Sequence, residues 1–64
     1  MYQYIITFGY YDGCIDSEDY YTNDDADERY NELIEDAAIE WAKLEIIHPW
    51  REAETVKEFD RAYA

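Results

Sequence analysis

Hydrophobic and polar positions along this chain first alternate, then recur at helical spacing. Tyr2, Tyr4, Ile6, Phe8 and Tyr10 alternate with Gln3, Ile5, Thr7, Gly9 and Tyr11. A period of two is the mark of a β-strand, and here the even-numbered face is the more apolar. Asp12-Gly13 follows at once. Between β-rich segments that dipeptide predicts a two-residue type I′ turn, whose central positions both need positive φ. Such a turn sets Tyr11 opposite Cys14, Tyr10 opposite Ile15, Phe8 opposite Ser17 and Ile6 opposite Asp19. The returning strand, Cys14 to Thr22, has few large hydrophobic residues. Its alternation breaks between Asp16 and Asp19, where a bulge would absorb the extra residue.

From Thr22 the period changes. Thr22-Asn23-Asp24-Asp25 supplies N-cap residues, and Asp24, Asp25, Asp27 and Glu28 then lie at the positive end of a helix dipole. Tyr30, Leu33, Ile34, Ala37, Ala38 and Trp41 recur every three or four residues, which predicts an amphipathic helix. It should reach Lys43 or Leu44, roughly 20 residues and about 30 Å long. Pro49 interrupts any continuing helix, so Leu44–Trp50 reads as a short third strand or an extended connector. Thr55 and Glu58 have capping-box spacing, which predicts a last helix from about Ala53 to Ala62 burying Val56, Phe59 and Tyr63. The expected architecture is a single α+β domain: a β-hairpin, with a third short strand as an option, packed on a long acidic helix plus a short C-terminal helix.

Composition sharpens this picture at two points. The chain has 64 residues, near the lower limit for an independent core, and its lone Cys14 permits no internal disulfide. A single thiol fits a reducing, intracellular setting. Seventeen acids against five bases give a formal charge of −12, yet aromatics make up 19% of the residues. Disordered acidic chains lack that aromatic content, so this one should fold. Direct binding to nucleic acid or to an anionic membrane is disfavoured, because both need clustered Lys and Arg. Arg29, Lys43, Arg51, Lys57 and Arg61 are instead scattered among acids. No apolar run is long enough to span a bilayer.

The candidate chemistry is thin. His48 and Cys14 could form a nucleophile pair, but a chain this small has little room for a cleft that excludes water. The acids are too many and too solvated to act as a tuned acid–base pair. A Ca²⁺ loop starting at Asp16 would place Tyr21 where glycine is required. The expectation is a non-enzyme with no cofactor and no specific metal site.

What remains is a shape and a field. Between Asp12 and Glu28 there are eight carboxylates and no Lys or Arg. On the predicted helix, Glu28, Glu32, Asp36 and Glu40 stand four residues apart, at steps of about 6 Å along the axis. Like charges so placed weaken a helix by a few tenths of a kcal/mol per pair. Their interval is comparable with the phosphate spacing along one nucleic-acid strand, so the row could occupy a basic groove made for DNA or RNA. The short chain, its charge and the acidic run from Asp12 to Glu40 on a strand–strand–helix layout together resemble the small acidic inhibitors of phages and other mobile elements, the anti-CRISPR proteins and anti-restriction DNA mimics. The resemblance implies steric occlusion of a nucleic-acid-binding groove on a basic host protein, a Cas effector or another nuclease, in the bacterial cytoplasm. The candidate partner-binding residues are Asp16, Glu18, Asp19, Asp24, Asp25, Glu28, Glu32, Asp36 and Glu40, with Tyr11 and Tyr20 projecting outward to add apolar contact. The alternative is an antitoxin or assembly subunit that binds through Tyr and Trp, with the acids serving solubility. Monomer and homodimer are both open.

Overall fold

The computed structural model describes residues 3–61. Four strands and one helix follow in the order β1 (Gln3–Tyr10), β2 (Ile15–Tyr20), α1 (Asn23–Glu35), β3 (Ile39–Ile47) and β4 (Glu54–Asp60). The strands form one antiparallel sheet in the order β2-β1-β3-β4. The helix covers one face of it. This replaces the expected hairpin on a long helix with a C-terminal helix: the helix is 13 residues long, and the chain beyond it is mostly strand.

β1 keeps the face expected of it. Ile6 and Phe8 are buried under α1, with Tyr4 and Tyr10 packed at the margin of the core. The turn after it differs. Gly13 N–H donates to the Tyr10 carbonyl at 3.0 Å, and Tyr10 N–H donates to the Cys14 carbonyl at 2.8 Å. Only Gly13, at φ +94, has positive φ among the described residues. A type I′ turn would need it at Asp12 too. Asp12 instead accepts the Cys14 N–H on its side chain at 2.9 Å, so the loop has three residues with glycine in the left-handed position. Register therefore moves by one residue: Phe8 pairs with Asp16 and Ile6 with Glu18. A one-residue slip reverses the faces of a strand. Asp16, Glu18 and Tyr20 lie on the helix side, while Ile15, Ser17 and Asp19 lie on the open face.

The helix starts as expected, with the Thr22 hydroxyl accepting the Asp25 N–H at 3.2 Å. It ends at Glu35. Asp36 has an extended ψ of 118° and accepts the Ala38 N–H on its carboxylate at 2.9 Å, which turns the chain into β3. Arg61 closes that end from afar. Its guanidinium donates to the carbonyls of Ile34, Asp36 and Ile39, each at 3.1 Å, supplying the positive charge that the last helical turn lacks. Burial decides for the strand: Ile39, Ala42 and Leu44 are all at most 1% exposed, next to Ala26, Tyr30 and Leu33 of the helix.

β4 replaces the expected C-terminal helix. Register shifts between Leu44 and Glu45, so Leu44 pairs with Lys57 and Glu45 with Thr55, leaving Val56 as the extra residue. Val56 is exposed rather than buried, and Phe59 packs against the core. Tyr63 lies outside the described residues. No helix among the described residues is long and apolar enough to cross a membrane.

On the open face, Gly9 stands between Ile15 and Trp41. A Cβ at position 9 would lie 2.1 Å from the indole Nε1 of Trp41, so the indole fills the space that a side chain there would need. Gly9→Ala should force the rigid ring away and lower stability by about 1–3 kcal/mol, read from urea unfolding. An unchanged midpoint would mean that the ring does not rest on β1.

Candidate functional site

The register places Glu18 on the helix side of the outer strand, within reach of α1. Arg29 grips it with two donors, Nε to Oε1 at 2.9 Å and an NH group to Oε2 at 3.2 Å. Tyr20 donates its hydroxyl to the same carboxylate at 2.6 Å. Arg29 also reaches Glu32 at 3.3 Å. Hydrogen bonding from Arg29 holds the Glu18 carboxyl below its ordinary pKa. The same pair holds Arg29 above its ordinary value, and the bond to Glu18 raises Tyr20. This cluster ties β2 to the helix.

The eleven residues expected to bind a partner therefore separate. Asp16, Asp19, Asp24, Asp25 and Glu28 are exposed, the first two on β2 and the rest on the first half of α1. Glu18 is committed to Arg29 and Tyr20, and Glu32 shares Arg29. Asp36 is the helix C-cap, and Glu40 is the extra residue of β3, where Tyr10 pairs with Ile39 and Gly9 with Trp41. The four-carboxylate row is thus two residues long on the helix. Tyr20, expected to project outward, instead turns to the helix side and packs against the core, because of the register slip. Tyr11 is exposed in the turn.

What the fold does assemble is an uneven field. The first 36 residues, which form β1, β2 and α1, hold eleven acids and one base. The remaining 28 hold six acids and four bases. β2 and β4 are opposite edges of the sheet, and α1, which holds six of the eleven acids, lies over the strands between them. The bases on β3 and β4 meet acids locally. Lys57 pairs with Asp27 on the near flank of α1 and lies 5.7 Å from the centre of the Tyr30 ring, and Arg51 reaches Glu54 at 3.8 Å. Among the described residues, only Arg29 opposes the carboxylates on the β2 side. Sequence reasoning missed Arg29 and Arg61 as organising residues. Arg29's spacing to Glu32 was visible, but its bond to Glu18 depended on a register that was not.

Cys14 and His48 do not meet. Cys14 follows the β1–β2 turn and His48 ends β3, and Gly9 and Gln3 on β1 mark those ends, about 20 Å apart at strand rise. A hydrogen bond donated to the Asp12 carboxylate raises the thiol pKa, which lowers its thiolate fraction at neutral pH. Among the described residues no group of three or more His, Cys, Asp or Glu is placed to hold a metal ion. No protein-family model, curated protein or solved structure matches the chain.

Glu18 makes the tie testable by pH. Its depressed pKa contributes stability that is fully present above the unfolded value near 4.5 and is lost as pH falls through the lower folded value. Glu18→Gln should cost about 0.5–1 kcal/mol at neutral pH, since both partners are about one-third exposed. The gap between the two proteins should narrow as pH falls below the unfolded value and close once it is below the depressed folded one. A gap that stays constant through that range would show that the carboxylate charge contributes nothing.

Proposed function

We propose that this protein is a non-enzymatic inhibitor that presents its β2–α1 side to the basic groove of a nucleic-acid-binding protein, such as a host nuclease or CRISPR effector. The observation that carries the reading is the excess of acids in the first 36 residues, eleven against the single base Arg29, with Asp27 also meeting Lys57 of β4. Asp24, Glu28 and Glu32 keep the four-residue step along about 12 Å of helix. Asp16, on the helix side of β2, adds one more charge at the neighbouring edge. These carboxylates would stand where phosphates stand, against target Lys and Arg. Charge complementarity of this kind speeds association and makes it sensitive to salt.

The monomer is the form that fits. Two copies of β2 paired about Ser17 would set Asp16 against Glu18. Two copies of β4 paired about Lys57 would set Glu54 against Asp60. Like charges directly opposite destabilise a strand pair, so both edges resist self-association. A second reading has its own support. Trp50, in the β3–β4 connection, is 86% exposed, and exposed Trp is a common anchor at protein interfaces. In that reading the protein is an interaction module of the antitoxin or assembly-subunit kind.

Immobilised protein should retain a nucleic-acid enzyme from bacterial lysate, released by a salt gradient and displaced by a duplex oligonucleotide. The variant carrying Asp16→Lys, Asp24→Lys and Glu28→Lys should fold and retain none of it. Retention that resists about 1 M salt, where the screening length is about 3 Å, and that fails on Trp50→Ala would replace mimicry with the second reading.

A further inference from the structure

β2 is an edge of the sheet, and among the described residues it pairs with β1 alone. Hydrogen-bond alternation fixes the direction of its backbone groups. Tyr10 N–H donates to the Cys14 carbonyl across the turn. Antiparallel pairs alternate between bonded and unbonded, so Phe8–Asp16, Ile6–Glu18 and Tyr4–Tyr20 are the bonded ones. Ile15, Ser17 and Asp19 therefore direct their N–H and C=O groups outward from the edge. All three residues are exposed. The outward Ser17 N–H donates to the Asp16 carboxylate at 2.8 Å. Natural sheets guard such an edge with a proline, a bulge or lysines. β4, the other edge, has a bulge at Val56 and carries Lys57. β2 has none of the three devices, and its register against β1 runs unbroken.

We propose that this edge takes up an extended, basic segment of a partner protein as a further strand. Main-chain hydrogen bonds give affinity in this mode of recognition, and side chains select. Charge selects here in two ways. A second copy of β2 is refused, because pairing about Ser17 sets Asp16 against Glu18. A basic strand is accepted at two points. Paired antiparallel about Ser17, it sets one residue opposite Asp19 on the open face and another, three positions further on, opposite Asp16 on the helix side. The next residue faces Ile15, which is 67% exposed and suits an apolar partner. The pattern recognised is basic-x-x-basic-apolar. Asp16 also covers the central donor of the edge, the Ser17 N–H, so a cation opposite Asp16 draws that cover aside. Glu18 takes no part, being held by Arg29 and Tyr20. The phosphate-like spacing on α1 takes no part either, so this site does not rest on mimicry.

The test is an NMR titration of the ¹⁵N-labelled full chain with acetyl-Thr-Lys-Val-Thr-Lys-Val-Thr-amide, whose central threonine faces Ser17. Two methylated forms accompany it. One has N-methyl groups on the first lysine and the second valine, whose N–H groups face the carbonyls of Asp19 and Ile15. The other has them on the first valine and the second lysine, whose N–H groups point away. The parent peptide should slow solvent exchange of the Ile15 and Asp19 amides saturably and leave those of Asp16 and Glu18 unchanged. The form methylated on its outer side should do the same, and the form methylated on its inner side should bind about tenfold more weakly. Glutamate in place of both lysines should abolish binding. Asp16→Asn or Asp19→Asn should each weaken it by about threefold. Equal binding by the two methylated forms would overturn the proposal and leave attraction by charge alone. Shifts confined to α1 would overturn it too. Neither result touches mimicry by the β2–α1 side, which the salt-gradient retention tests separately.

Discussion

β3 has to lie at the centre of the sheet. Ile39, Ala42 and Leu44 are buried there between β1 and β4, and with Ile6 and Phe8 of β1 they form the surface that Ala26, Tyr30 and Leu33 of the helix cover. The position of that strand sets the rest. The helix must stop at Glu35 so that the chain can turn and enter the sheet at Ile39. A short helix can cover only one face, so the other stays open and mixed in character. Gly9 and Trp41 meet on that open face because they are paired across β1 and β3. In a chain of this size the buried set is small, and each member carries a large share of the stability.

β1, the hairpin and the helix start with its Thr22 cap were legible in the sequence. The two later strands were not, and two irregularities explain why. The register shift opposite Gly9 and Tyr10 puts Ile39 and Ala42 on one face although they are three residues apart. The shift at Leu44 and Glu45 leaves Val56 unpaired and exposed, although its three-residue spacing to Phe59 reads as helical. Three-residue spacing is a helical signal, and a bulged strand copies it. Local propensity then had nothing to set against it, since burial in the middle of a sheet is a tertiary effect. The hairpin register failed for a smaller reason: the Asp12 carboxylate takes up the Cys14 N–H, which favours the three-residue loop. That single residue moved Glu18 to the helix side and Tyr20 into the margin of the core, so it changed the candidate site more than the larger error did.

The charge distribution follows from the same topology. Net charge far from zero weakens a compact state by self-repulsion, and this domain limits the effect with few bases. Arg29 ties β2 to α1, Lys57 ties β4 to α1, and Arg61 closes the helix end through three backbone carbonyls. Each joins elements distant in sequence. Three of these groups act on the helix, and two of the three come from the β4 side. Among the described residues, the exposed carboxylates of β2 and the outer helix surface meet no base beyond Arg29. Repulsion there is tolerable because the side chains reach water, where screening acts within about 10 Å at moderate salt.

The central claim is that the field is one-sided, and it can be measured without knowing any partner. Paramagnetic relaxation of backbone amides by a cationic nitroxide cosolute, compared with a neutral one, reports the local potential residue by residue. Amides of β2 and the first half of α1 should show the largest excess relaxation with the cationic probe, and those of β4 should show much less. An excess spread evenly over both edges of the sheet would contradict the account.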